Sequence, residues 1–205
     1  MDELQRLWQQ AVAAHASKPA LTYQRDGSVT TFAKLHEAVE ALASELRVAG
    51  ATAGRAVAYA VDERAPAKAV VCQLACLAMG AVYCPTDDPE ATRAALAPAC
   101  RVDADGVERF ADAPAAWLPD ALYALATSGT GAGGRKAVVG SAAATLHRLR
   151  WEWDAFAGGA ALLRTPAVFV DSVAEVLGAL LRGDGLLVPS GADALRCARD
   201  LGAAK

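Results

Sequence analysis

The residues best equipped for chemistry sit in one glycine-dense stretch, TSGTGAGGRKAVVG, at positions 127–140. Glycine lacks a Cβ, so backbone N–H groups can converge there on an anion and the left-handed backbone region is open. The hydroxyls of Thr127, Ser128 and Thr130 add donors, and Arg135 and Lys136 add charge-assisted ones. The chemistry this implies is a phosphate cradle. Two regular motifs fit its glycines incompletely. Gly129 and Gly134 have the gap of a P-loop, but Arg135 and Lys136 stand where Lys-Ser or Lys-Thr would supply the Mg2+-binding hydroxyl. Gly129, Gly131 and Gly134 match the dinucleotide-binding fingerprint, yet that loop opens directly into a helix, and Lys136–Val139 reads as extended chain. A glycine loop with no ligand is a third reading.

The remaining reactive side chains are less suggestive. Cys72 and Cys76 can share a helix face, but no further Cys or His stands at zinc-ligand spacing, so buried small hydrophobes account for them better. An odd total of 5 cysteines without secretory context reads as reduced thiols of a cytoplasmic protein. His147 has no evident acid or thiol partner, and Trp151 and Trp153 read as packing residues.

The elements that must position the loop alternate between strand and helix. Leu4, Leu7, Trp8 and Val12 mark a helix over 3–15, followed by extended segments at 20–23 and 28–31 about a turn at 25–27. Phe32, Leu35, Val39, Leu42 and Leu46 recur on one helical face, with Thr31 as cap and Gly50 as stop. A strand at 55–61, a helix over 64–79 stopped by Gly80, and a strand at 81–85 follow. A short helix at 89–98 and a weak strand at 100–103 lead into a surface connection over 104–120. The strand 121–127 enters the glycine loop, and 136–140 leaves it extended. A helix over 141–156 carries Leu146, Leu149, Trp153 and Phe156 on one side. Segments 161–165, 173–181 and 185–189 read strand, helix, strand, and the tail from 192 reads as helix. Such alternation implies an α/β fold, a mostly parallel sheet flanked by helices.

Bulk composition narrows the function. With 205 residues, 54% of them hydrophobic, the chain can bury a substantial core. A balance of 20 basic and 23 acidic residues argues against nucleic acid or a membrane surface as a partner held by charge. No apolar run has the length of a membrane span, and the start has no signal-peptide pattern.

Taken in order, several segments resemble the adenylate-forming, or AMP-binding, superfamily of acyl-CoA synthetases and peptide-synthetase adenylation domains. In YALATSGTGAGGRKAVV, Thr127, Ser128, Gly129 and Thr130 match that family's phosphate loop in place. Lys136 matches its lysine with one residue inserted before it. The loop's second threonine and its proline are not kept, and Ala137 replaces the usual glycine. Gly80, Ala81, Tyr83, Pro85 and Asp87 fall in register with a family core segment, and Thr31, Phe32 and Leu35 with its early helix. Segments 146–156 and 165–189 match the next helix and the acid-pocket region.

The resemblance implies a partial large N-terminal domain of that fold and a two-step ligase. The acid carboxylate attacks the α-phosphate of ATP, and a thiol of CoA or of a phosphopantetheinyl carrier protein then captures the acyl adenylate. It further implies that Thr127, Ser128, Gly129, Thr130 and Gly131 hold phosphates, that Lys136 neutralises their charge, and that Mg2+ assists. Amino-acid-activating members place an aspartate in the acid pocket to bind the substrate ammonium. An ungapped match puts Val170 there and Asp171 one residue later, so Asp171 is the candidate substrate contact, with a structural role as the alternative. Nothing after residue 189 resembles the family's metal-binding, ribose-binding or hinge segments. Residues 1–205 are therefore expected to form a single truncated domain, inactive alone, binding a small carboxylic or amino acid. A non-catalytic remnant that binds nucleotide or protein is the alternative, and a Rossmann-type domain a further one.

Overall fold

The computed structural model describes residues 1–110, 120–126 and 137–190. Ten strands and six helices alternate as expected among the described residues: α1 (Asp2–His15), β1 (Pro19–Tyr23), β2 (Val29–Thr31), α2 (Phe32–Val48), β3 (Ala56–Ala60), α3 (Pro66–Met79), β4 (Val82–Thr86) and α4 (Pro89–Leu96). Then come β5 (Cys100–Asp103), β6 (Gly106–Arg109), β7 (Ala121–Ala126), β8 (Ala137–Ser141), α5 (Ala142–Ala155), β9 (Ala161–Leu162), α6 (Val170–Arg182) and β10 (Leu186–Val188).

The strands form two sheets where the alternation implied one. The smaller has the order β2-β1-β10-β9 and the larger β6-β5-β3-β4-β7-β8. Both are parallel at the centre. Antiparallel pairs β1/β2, β5/β6 and β7/β8 lie at their margins. Helices α1, α2 and α6 contact one another or the small sheet, α3 contacts β3 and β4 of the large one, and α2 packs on α3, so a helical layer joins the two. Strand alternation divides the apolar residues accordingly. Val57, Tyr59, Tyr83 and Val102 face this layer in the main core. Ala56, Val82, Cys84 and Ala124 form a second core with Leu96 of α4.

Local chemistry sets the element ends. The Thr31 hydroxyl accepts the Lys34 N–H at the start of α2, and Ser141 does the same for Ala144 N–H in α5. Gly80 ends α3 at φ +68° and Gly183 ends α6 at φ +83°, conformations that cost glycine little. On α2, Phe32, Leu35, Val39 and Leu46 are buried as expected, while Ala43 is fully buried in place of the half-buried Leu42. Residues 106–109, expected within a surface connection, pair with β5 as a hairpin strand. The expected strand 161–165 shortens to Ala161–Leu162, because Arg164 and Thr165 turn their amides to a side chain of α6. The expected tail helix lies outside the described residues. Among the described residues no helix is long and apolar enough to cross a membrane.

Candidate functional site

Residues 127–136, including Thr127, Ser128, Gly129, Thr130, Gly131 and Lys136, lie outside the described residues. Their attachment points are well defined. Ala126 and Ala137 face each other across the antiparallel β7/β8 ladder. The chain after Lys136 is therefore a strand. A P-loop and a Rossmann fingerprint both require a helix there, so the fold overturns those two readings.

Beside this hairpin, the ring of Tyr123 on β7 lies over Gly140 on β8, where any Cβ would fall inside the phenol. Burial raises the Tyr123 phenol above its usual pKa; the Arg148 charge opposes that rise and the Asp171 charge adds to it. Tyr123 thus connects the base of the loop to a pair of charges on the next two helices.

That pair lines a cleft of about 420 Å3 between α5, α6 and the segment after β9. Its volume falls in the range of small-molecule sites. Arg148 Nη2 lies 2.9 Å from Asp171 Oδ1, and Arg148 Nε donates to Glu152 Oε1 at 2.9 Å. Glu152 and Asp171 together hold the guanidinium above its usual pKa. Glu175 accepts from Thr165 N–H at 2.9 Å, from Arg164 N–H at 3.0 Å and from the Thr165 hydroxyl at 2.6 Å. This clamp fixes the chain between β9 and α6. The Trp153 indole donates to Gly178 O at 2.8 Å and forms part of the wall. Arg182 bonds Asp184 and the carbonyls of Phe156 and Ala157.

The sequence singled out Asp171, and the structure places it in this cleft, but with its carboxylate already paired. Arg148, Arg164 and Glu175 were missed. The one local signal was Arg148 and Glu152 at helical i,i+4 spacing. Trp151, expected to pack, is 60% exposed and meets only the Phe156 ring edge-on among the described aromatics. Phe156, expected on the apolar side of its helix, is 61% exposed at the helix end. A larger cleft of about 1040 Å3 lies across the same β9–α6 segment, sharing Arg164 and Thr165.

Residues 8–102 match the family model described as AMP-binding enzyme, just under half the chain. No curated protein matches the chain. Solved structures match throughout its length. An artificially fused adenylation–PCP di-domain, NpsA-ThdA from Klebsiella oxytoca, shares 21% identity at TM-score 0.76, covering 98% of this chain and 45% of its own. The NpsA N-terminal subdomain in complex with 3-hydroxybenzoyl-AMSN shares 22% at TM-score 0.74, with 97% and 57% covered. The o-succinylbenzoate coenzyme A synthetase MenE from Bacillus subtilis, in complex with AMP, shares 15% at TM-score 0.75, with 94% and 46% covered. The fold is thus that of the N-terminal domain of adenylate-forming enzymes, and the chain spans about half the length of the structures it matches.

Proposed function

We propose, for a chain that is AMP-binding family through residues 8–102 and folded as an adenylate-forming N-terminal domain, that it carries the phosphate loop and one wall of the acid pocket of an ATP-dependent acid-activating ligase. In that reaction the acid carboxylate attacks the α-phosphate of ATP, pyrophosphate leaves, and a thiol of CoA or of a phosphopantetheinyl carrier takes the acyl group. Catalysis of this kind is mostly positioning and charge stabilisation. The backbone and hydroxyls of Thr127, Ser128, Gly129, Thr130 and Gly131 hold the leaving phosphates, and Lys136 neutralises them. Asp171 contributes to the acid-binding wall. Among the described residues no three His, Cys, Asp or Glu side chains could hold a metal ion, so no step is assigned to Mg2+.

The observation that carries this reading is the antiparallel exit of the loop into β8 within a fold shared with adenylation domains. One structural neighbour, the NpsA N-terminal subdomain, supports a small aromatic acid as the substrate type, since its complexes hold 3-hydroxybenzoyl-AMSN, 3-hydroxyanthranilyl-AMSN and anthranilyl-AMSN. Calorimetric titration with ATP and Mg2+ tests the loop. The chain is expected to bind, and Lys136→Ala to weaken binding about ten- to hundredfold, the worth of one charge-assisted hydrogen bond. Failure of the unaltered chain to bind ATP would overturn the assignment.

A further inference from the structure

The charges lining the smaller cleft are unequally committed. Asp171 and Glu152 both pair with Arg148 at 2.9 Å. Glu175 spends both carboxylate oxygens on Thr165 and on the Arg164 amide. Arg182 is held by Asp184. Every carboxylate lining the cleft thus has a partner, Asp171 and Glu152 through one oxygen each, and the only guanidinium there without an ion pair among the described residues is that of Arg164. Arg148 takes Oδ1 of Asp171, so a substrate ammonium reaching this carboxylate must share it with the guanidinium or displace it. Either way it would lie beside that cation, a like-charge contact that disfavours the charged form. The exposed side chains at the start of α6, Phe169 and Val170, add apolar surface next to the pair.

We infer that Arg148 sets substrate class: by closing Asp171 it makes the cleft select carboxylic acids without an α-ammonium, and Arg164 favours those bearing a second anionic group. This inference rests on the reading of the cleft as the acid pocket. Discrimination here comes from an occupied carboxylate that penalises the wrong ligand, and not only from contacts to the right one.

Trp153 provides a probe, because its indole N–H lies in the cleft wall and resolves as a separate resonance in 1H–15N spectra of the full chain. Three ligands of one skeleton are titrated: 3-phenylpropionate, phenylalanine and phenylsuccinate. Phenylalanine should bind about tenfold more weakly than 3-phenylpropionate, a 1.4 kcal/mol difference. In Arg148→Met, phenylalanine should come within about threefold of it. In Arg164→Ala, phenylsuccinate should lose any advantage over 3-phenylpropionate. Equal binding of phenylalanine and 3-phenylpropionate by the unaltered chain, or no recovery in Arg148→Met, sinks the role of Arg148 and leaves the acid-pocket reading standing. If none of the three ligands moves the Trp153 resonance, the acid-pocket reading itself fails and this inference falls with it.

Discussion

At the scale of single residues, the least replaceable position beside the loop is Gly140. A methyl group there must push the Tyr123 ring off β8, and overpacking of this kind costs about 1–3 kcal/mol. Gly140→Ala should lower the urea midpoint accordingly without changing the slope of the transition, and its cost should shrink when it is made in a Tyr123→Ala background, where the ring it displaces is gone. The buried thiols carry a second expectation. Burial pushes Cys84 and Cys100 from 9.0 to about 12, and the Tyr59 phenol from 10.0 to about 12. Between those values the unfolded chain has released protons that the folded chain still holds. Stability is therefore intact below about pH 9 and falls as pH climbs through the folded values. Denaturant midpoints recorded from pH 8 to 12 should decline across that window. For the same reason no more than one of the 5 thiols should react with Ellman's reagent in the native protein at pH 8, and all should react after denaturation. Steadiness of the midpoint through pH 11, or rapid native labelling of several thiols, would contradict the burial that these positions show. That Cys72 and Cys76 are buried small hydrophobes was legible from the lack of any zinc-ligand spacing around them. That Asp171 is closed by Arg148 was not, because the partner sits on a different helix and only packing brings them together.

At the scale of elements, caps and breakers were the most readable signals. Thr31 and Gly80 perform the local roles their types suggest, since each acts within a few residues of its own position. Pairing between strands was less readable. Alternation of strand and helix says that sheets are parallel but not how many there are, and here β1 and β10 leave the main sheet to form another. The hairpin strand β6 was missed because its half-exposed residues carry no apolar alternation, and its pairing depends on the turn before Gly106. The length of β9 was overestimated because Glu175 takes the amides of Arg164 and Thr165 that a longer strand would have used. The cap of α5 matters most for function, since that helix presents Arg148 to the cleft. Ser141→Ala removes the hydroxyl that accepts the Ala144 amide, and should cost about 1 kcal/mol. Hydrogen exchange should locate the loss in the first turn of α5; uniform loss of protection across the chain would argue that the cap acts elsewhere.

At the scale of the whole molecule, β8 is the last strand of the large sheet among the described residues, and its Val138 and Val139 are 51% and 37% exposed. Neighbouring strand residues point to opposite faces, so among the described residues this edge is open on both. The polypeptide of these 205 residues, spanning about half the length of the structures it resembles, is expected to give no ATP–pyrophosphate exchange above background when assayed alone. Robust exchange would show that the described fold and its loop suffice for turnover. The β7/β8 ladder bears on how such a protein can change over time. Because Ala126 and Ala137 already face each other, the sheet fixes both ends of whatever chain joins them. Lengthening a connection between fixed ends is thermodynamically mild, with each doubling costing only about 0.6 kcal/mol. A change of one residue in the length of this segment is therefore one that the sheet can absorb without shifting a strand. If this segment holds nucleotide as proposed, its sequence can drift in affinity while the ladder on either side of it stays the same.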